Sequence, residues 1–186
     1  MDATARFDVA SPESPRAVAV LCHPHPDYGG DRHNIVVEAL FRALPPAGVA
    51  ALRFDFRRPL GEGLGQAVDD VAAALDTATE RFPEEPVVLC GYSFGAAAAL
   101  ATVGGRPDVG RLVLIAPPLA LLPAGAAPTV PTLALVPAHD QFSPPAVVEP
   151  VVDGWPDARL EVVEAGDHFL AGRTGWVAER VVAWLA

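Results

Sequence analysis

Six short apolar runs, most of them rich in β-branched residues, alternate with longer stretches of helical periodicity, and no other feature of this chain restricts its fold as much. The runs are Ala17–Leu21, Val49–Phe54, Val87–Cys90, Leu112–Ala116, Thr132–Val136 and Leu160–Val163. All have the length and composition of strands. Between them, Arg32–Leu44 carries Ile35, Val36, Ala39, Leu40 and Ala43 as a helical stripe and ends at Pro45-Pro46. Gly65–Phe82 repeats Val68, Val71, Ala72, Leu75 and Ala78 and stops at Pro83. Ser93–Val103 is Ala-rich and helical, and Gly172–Ala186 closes the chain with Trp176, Val177, Val181 and Trp184 on one side. Thr4–Val9 is a candidate edge strand. Strands of this kind separated by helices predict an α/β fold: a mainly parallel central sheet with helices on both faces. Ligands of such sheets bind beyond the carboxyl ends of the strands. A functional residue should therefore stand just after a strand.

The length of 186 residues predicts one domain spanning 1–186, with enough apolar sequence to bury its own core. The net charge of −10 argues against nucleic acid or an anionic membrane as partner, since both select basic surfaces. No apolar run is long enough to cross a membrane. The first residues, Met1-Asp2-Ala3-Thr4, lack the basic and apolar regions of a secretory signal, so the expected location is cytoplasmic. All 13 basic residues are Arg, which excludes a phosphate-binding P-loop lysine, a Schiff-base lysine and a Ser–Lys dyad. Cys22 and Cys90 form no metal-binding pattern and read as buried thiols at strand ends. They could pair only if their strands are neighbours.

Gly91-Tyr92-Ser93-Phe94-Gly95 is a G-x-S-x-G pentapeptide between the run Val87–Cys90 and the Ala-rich helix. That is the context the motif requires, because the serine occupies a sharp strand-to-helix turn and the flanking glycines relieve crowding. The helix start offers unpaired backbone N–H groups to a developing oxyanion. A glycine-rich turn with an idle serine is the plain alternative. The context and the scarcity of serines (Ser11, Ser14, Ser93 and Ser143) favour a nucleophile.

A second oxyanion donor is expected from another strand–helix loop. Cys22-His23-Pro24-His25-Pro26-Asp27-Tyr28-Gly29-Gly30 fits. Pro24 and Pro26 have no N–H, so the backbone N–H of His25 between them is the natural donor. His23 and Asn34 read as braces of this loop. A rival reading takes His23-x-His25-x-Asp27 as part of a metal site, close to the H-x-H-x-D-H pattern of metallo-β-lactamase-type hydrolases. Tyr28 stands where that pattern has its last histidine, and the loop alone offers too few ligands. No metal or organic cofactor is expected.

The acid and base should follow Ser93 in the order Asp then His. Asp140 comes after Thr132–Val136, in Ala138-His139-Asp140-Gln141-Phe142-Ser143-Pro144, and His168 after Leu160–Val163, in Gly166-Asp167-His168-Phe169. Histidine titrates near neutrality and suits a general base, while the carboxylate sets its tautomer. Asp167 is the competing acid, although adjacent side chains in a turn seldom face each other. Asp55, Asp69, Asp70, Asp153 and Asp157 read as loop or helix-surface charges, and His139 as a loop residue beside the acid.

The set HPHPxxGG, RFDFR, GYSFG, HDQFSP and GDHF, spread from Ala17 to the C-terminal helix, resembles the small bacterial α/β-hydrolases of predicted esterase-like activity that lack a cap domain. Dienelactone hydrolases are more distant relatives. The resemblance implies an α/β-hydrolase fold without a separate cap, a Ser93–His168–Asp140 triad, and backbone N–H groups of His25 and Phe94 as oxyanion hole. It implies hydrolysis of small or medium acyl esters through an acyl-enzyme, with a small-molecule acyl substrate as partner. A thioesterase or acyltransferase would use the same triad; a metallohydrolase or a non-catalytic binding protein is the remoter alternative. Where the family commonly has a Gly-rich, Ser-containing turn after RFDFR, this chain reads Arg58-Pro59-Leu60-Gly61-Glu62-Gly63. The leading antiparallel strands are expected to be reduced to one. The stretch Pro117–Pro131 holds five prolines and no charge, so it should be a stiff apolar loop too short for a lid. Pro117, Pro118, Leu119, Leu121, Leu122, Phe142 and Phe169 are expected to rim an open pocket.

Overall fold

Alternating side chains on the strands supply two separate apolar surfaces, and the chain covers both. A computed structural model describes residues 7–122 and 125–186. Its strands are β1 (Phe7–Ala10), β2 (Ala17–Cys22), β3 (Val49–Phe54), β4 (Val87–Tyr92), β5 (Val109–Ile115), β6 (Thr132–His139) and β7 (Ala158–Asp167). Its helices are α1 (Ile35–Ala43), α2 (Gly65–Arg81), α3 (Phe94–Val103), α4 (Pro145–Val152) and α5 (Thr174–Leu185). The sheet runs in the order β1-β3-β2-β4-β5-β6-β7, parallel throughout except for β1, which pairs antiparallel with β3. Phe7–Val9 of the expected edge strand is thus a strand, extended by Ala10; Thr4, Ala5 and Arg6 lie outside the described residues.

On β2, Val18, Val20 and Cys22 face the core shared with α2, α3 and α4, whereas Ala17, Ala19 and Leu21 face the core shared with α1 and α5. Register also separates the cysteines. β2 and β4 are neighbours, but Cys22 lies opposite Gly91 and Cys90 opposite Leu21. The two thiols point to opposite faces, remain free and are fully buried, so the conditional pairing does not arise. Burial pushes the Cys90 thiol up to about 12 and raises Cys22 as well.

The chain moves from β2 to β3 on one side and then returns to place β4 on the other side of β2. This reversal is the switch point at which open parallel sheets bind ligands. The loops after β2 and β4 straddle it. The sequence periodicity missed α4, whose eight residues include Pro145 and Pro150. Pro145 occupies the first helical position, where no N–H is required, and the segment is short enough to tolerate Pro150. The described part of the Pro117–Pro131 connection has no helix or strand. No described helix is long and apolar enough to cross a membrane.

Candidate active site

Ser93 sits between β4 and α3 with φ 53° and ψ −118°, a backbone conformation that costs an L-residue energy and is held by its surroundings. Its N–H donates to the Ile115 carbonyl at 2.9 Å. A Cβ on Gly91 would fall 2.3 Å from the Gly95 carbonyl oxygen, and one on Gly95 would fall 2.3 Å from that of Cys22. Only glycine permits this turn to close and α3 to press on the end of β2. The close contact also brings the elbow beside the loop that follows β2.

That loop is braced from both sides. The buried His23 ring donates from Nδ1 to the Pro24 carbonyl at 2.6 Å and accepts the Phe56 N–H at Nε2, at 3.1 Å. Burial lowers its pKa, and the ring is held neutral. Both nitrogens are occupied, which removes His23 from the rival metal reading; among the described residues no three His, Cys, Asp or Glu side chains group as ligands. Arg58 donates to the Gly30 carbonyl at 2.9 Å, and Arg32 joins Asp8 to Asp55. Asn34 caps α1 by accepting the Val36 N–H at 3.0 Å. The His25 ring packs edge-on against Phe94 with centroids 4.7 Å apart. Among the described residues neither His25 nor Phe94 donates its backbone N–H to a protein acceptor.

The other side of the site comes from the loops after β6 and β7. Ser93 Oγ donates to His168 Nε2 at 2.8 Å, and His168 Nδ1 donates to Asp140 Oδ2 at 2.8 Å. Asp140 is buried, and its Oδ1 accepts the N–H groups of Phe142 and Ser143 at 2.8 and 2.9 Å. Asp167 is turned elsewhere. Its Oδ1 accepts the N–H groups of Phe169 and Leu170, both at 3.1 Å, which shapes the turn carrying His168. His139 is exposed.

Several residues of the site escaped the sequence reading. The Tyr92 hydroxyl, buried beneath the elbow, donates to the His168 carbonyl at 2.8 Å. Burial raises its pKa, so it remains a donor where an exposed tyrosine would begin to ionise. Gln141 Oε1 accepts the His168 N–H at 3.4 Å, and the buried Ser143 Oγ accepts that of Ala120 at 3.0 Å. No local pattern marks these contacts; only the position of Tyr92 inside the pentapeptide hints at one. Two expectations need correction. Asp70 is not a surface charge but is buried, accepting the Arg57 N–H at 2.9 Å and pairing with its guanidinium, which ties the loop after β3 to α2. Pro117 and Pro118 are buried and do not belong to the rim, because the chain tucks them beneath the loop as it leaves β5. Leu119 and Leu122 are half-buried and line a cavity of about 280 Å³ against α3, with Ala97 and Leu100. Leu121, Phe142 and Phe169 do stand exposed.

A protein-family model described as serine aminopeptidase, S33, matches residues 13–135. Uncharacterized protein RP471 of Rickettsia prowazekii is 35% identical over 116 residues, covering 59% of this chain and 48% of the relative. Lipase LipV of Mycobacterium tuberculosis is 30% identical over 161 residues, covering 80% of this chain and 59% of the relative. The chain thus spans about half to three-fifths of the length of these relatives. The structure of an α/β serine hydrolase homologue from Coxiella burnetii matches with a TM-score of 0.89 at 26% identity, over 97% of this chain and 91% of that one. The fold is that of the α/β-hydrolases, and the described residues form no separate cap.

Proposed function

This chain belongs to the α/β-hydrolase family described as serine aminopeptidase, S33, and from that premise we propose that it hydrolyses small or medium acyl esters through a covalent acyl-enzyme. One observation carries the reading: a continuous relay of 2.8 Å hydrogen bonds from Ser93 Oγ through His168 to the buried Asp140. Asp140 accepts a hydrogen bond from Nδ1–H, which keeps the proton on Nδ1 and leaves Nε2 free to act as base toward Ser93. The Ser93 oxygen attacks the acyl carbonyl carbon while its proton passes to Nε2. Charge then gathers on the carbonyl oxygen. The backbone N–H groups of Phe94 and His25, each without a protein acceptor among the described residues, are the donors for it. His168 returns the proton to the departing alcohol oxygen, and the C–O bond breaks. Water, deprotonated by His168, then cleaves the acyl-serine bond and restores the hydroxyl.

The lipase name of the Mycobacterium tuberculosis relative favours esters, whereas the family description includes aminopeptidases. The test is labelling with a fluorophosphonate probe, beside turnover of p-nitrophenyl acetate and butyrate and of aminoacyl p-nitroanilides. The expected result is labelling of the native chain, none of Ser93→Ala, and turnover of the esters alone. An unlabelled native chain removes the triad reading; cleavage of the anilides in preference to the esters reassigns the substrate to peptides.

A further inference from the structure

Among the described residues, four large apolar side chains stand exposed on the loops at the carboxyl ends of the strands: Tyr28, Leu121, Phe142 and Phe169. They are not equivalent. Tyr28 belongs to the loop after β2 and lies against His25, with ring centroids 4.8 Å apart. Phe142 and Phe169 both lie against the His168 imidazole. Their centroids are 4.7 and 5.9 Å from it, and their planes stand at 77° and 88° to it. Phe142 is held there because Asp140 accepts its N–H, and Phe169 because Asp167 accepts its own. Both rings are backed by the protein yet keep much of their surface in water, 42% and 56% exposed.

The chemistry decides what such rings can meet. His168 Nε2 takes the Ser93 proton and must return it to the oxygen that leaves. Proton transfer needs donor and acceptor within about 2.6–3.2 Å, so the leaving oxygen must come to rest beside Nε2. The group attached to that oxygen then extends toward the exposed side chains beside the imidazole, which are Phe142 and Phe169; the Tyr92 ring also lies beside it but is buried. The carbonyl oxygen is held at a different point, by the His25 and Phe94 N–H groups.

We propose that Phe142 and Phe169 are the specificity-determining surface for the leaving group, and that the enzyme selects esters whose alcohol portion is apolar and aromatic. This rests on the triad reading of Ser93, His168 and Asp140. In acylation the Ser93 Oγ–carbon bond forms, the ester C–O bond breaks, and the Ser93 proton ends on the released alcohol. The apolar alcohol covers the two rings until that bond breaks, so the gain belongs to acylation and not to water attack on the acyl-enzyme.

The test compares kcat/KM for benzyl acetate and ethyl acetate, which share an acyl group and release alcohols of similar acidity. The native chain should favour the benzyl ester by about tenfold, the effect of covering one aromatic face. The ratio should fall below about twofold in the Phe142→Ala/Phe169→Ala double variant and stay intermediate in Phe142→Leu and Phe169→Leu, which preserve apolar bulk. Rings that merely shield the His168–Asp140 pair would alter both esters alike and leave the ratio unchanged, and that result overturns the proposal. So does a native ratio near one, or a shift confined to the acetyl-against-hexanoyl preference at a fixed leaving group. Fluorophosphonate labelling is run in parallel. A labelled Ser93 with no benzyl preference removes the leaving-group assignment alone, while an unlabelled native chain removes the triad reading and this inference with it.

Discussion

Whereas the turn that carries Ser93 is held by backbone packed on backbone, the turn that carries His168 is held by hydrogen bonds to and from side chains. Gly91, Gly95 and the end of β2 approach so closely that a single added carbon would fall 2.3 Å from a carbonyl oxygen. Ser93 is kept at positive φ by that packing. Across the site, Asp140 organises its own loop through two backbone N–H groups, Gln141 accepts from His168, and the Tyr92 hydroxyl reaches the His168 carbonyl. Steric exclusion by backbone atoms can be relieved only by moving backbone. Hydrogen bonds can be removed singly, each at a modest cost. Damage on the Ser93 side should therefore register in stability, and damage on the His168 side in catalysis.

The largest expected effect is that of Asp140→Asn. The amide oxygen can still accept from Phe142 and Ser143, but its NH2 group faces His168 Nδ1 and forces the wrong tautomer. Turnover of p-nitrophenyl acetate should fall by about 10⁴-fold, with a urea midpoint close to native. A collapse of stability instead would place the acid loop with the packed half. Next is Gly95→Ala, expected to lower the unfolding free energy by about 3 kcal/mol or more in urea titrations, since backbone must move to admit the methyl group. A native midpoint in this variant would break the comparison. The smallest effect belongs to Tyr92→Phe. Loss of one hydrogen bond to the backbone of the candidate base His168 should lower kcat by about three- to tenfold with KM unchanged. The Tyr92 hydroxyl stays protonated because burial raises its pKa, so the kcat ratio of native to Tyr92→Phe should be flat through the mildly alkaline range. A ratio that falls as pH rises would show that the hydroxyl ionises there and no longer holds His168.

Much of this was legible along the chain. Ser93, Asp140 and His168 each follow a strand recognisable from its apolar run, and parallel strands bring their carboxyl ends to one rim. Strand ends were less legible. β6 continues to His139 and β7 to Asp167, beyond the apolar runs, because their last residues pair as ladder partners although they are polar. Helix α4 was hidden by its prolines. The burial of Asp70 was hidden because its partner, Arg57, lies in a loop with no periodicity to read.

By itself, then, the sequence determined the alternation of strands and helices, the strand-end positions of the candidate triad, and a His25 N–H isolated between two prolines. These follow from local periodicity and from the donors a residue type possesses. Tertiary structure alone decided which strands became neighbours. That order sent Cys22 and Cys90 to opposite faces, placed the Tyr92 hydroxyl on the backbone of His168, and set Phe142 and Phe169 against one imidazole. The physical reason is that these arrangements set residues of different strands and strand-end loops against one another, and, the adjacent Phe169 and His168 aside, their geometry exists only once the sheet has assembled.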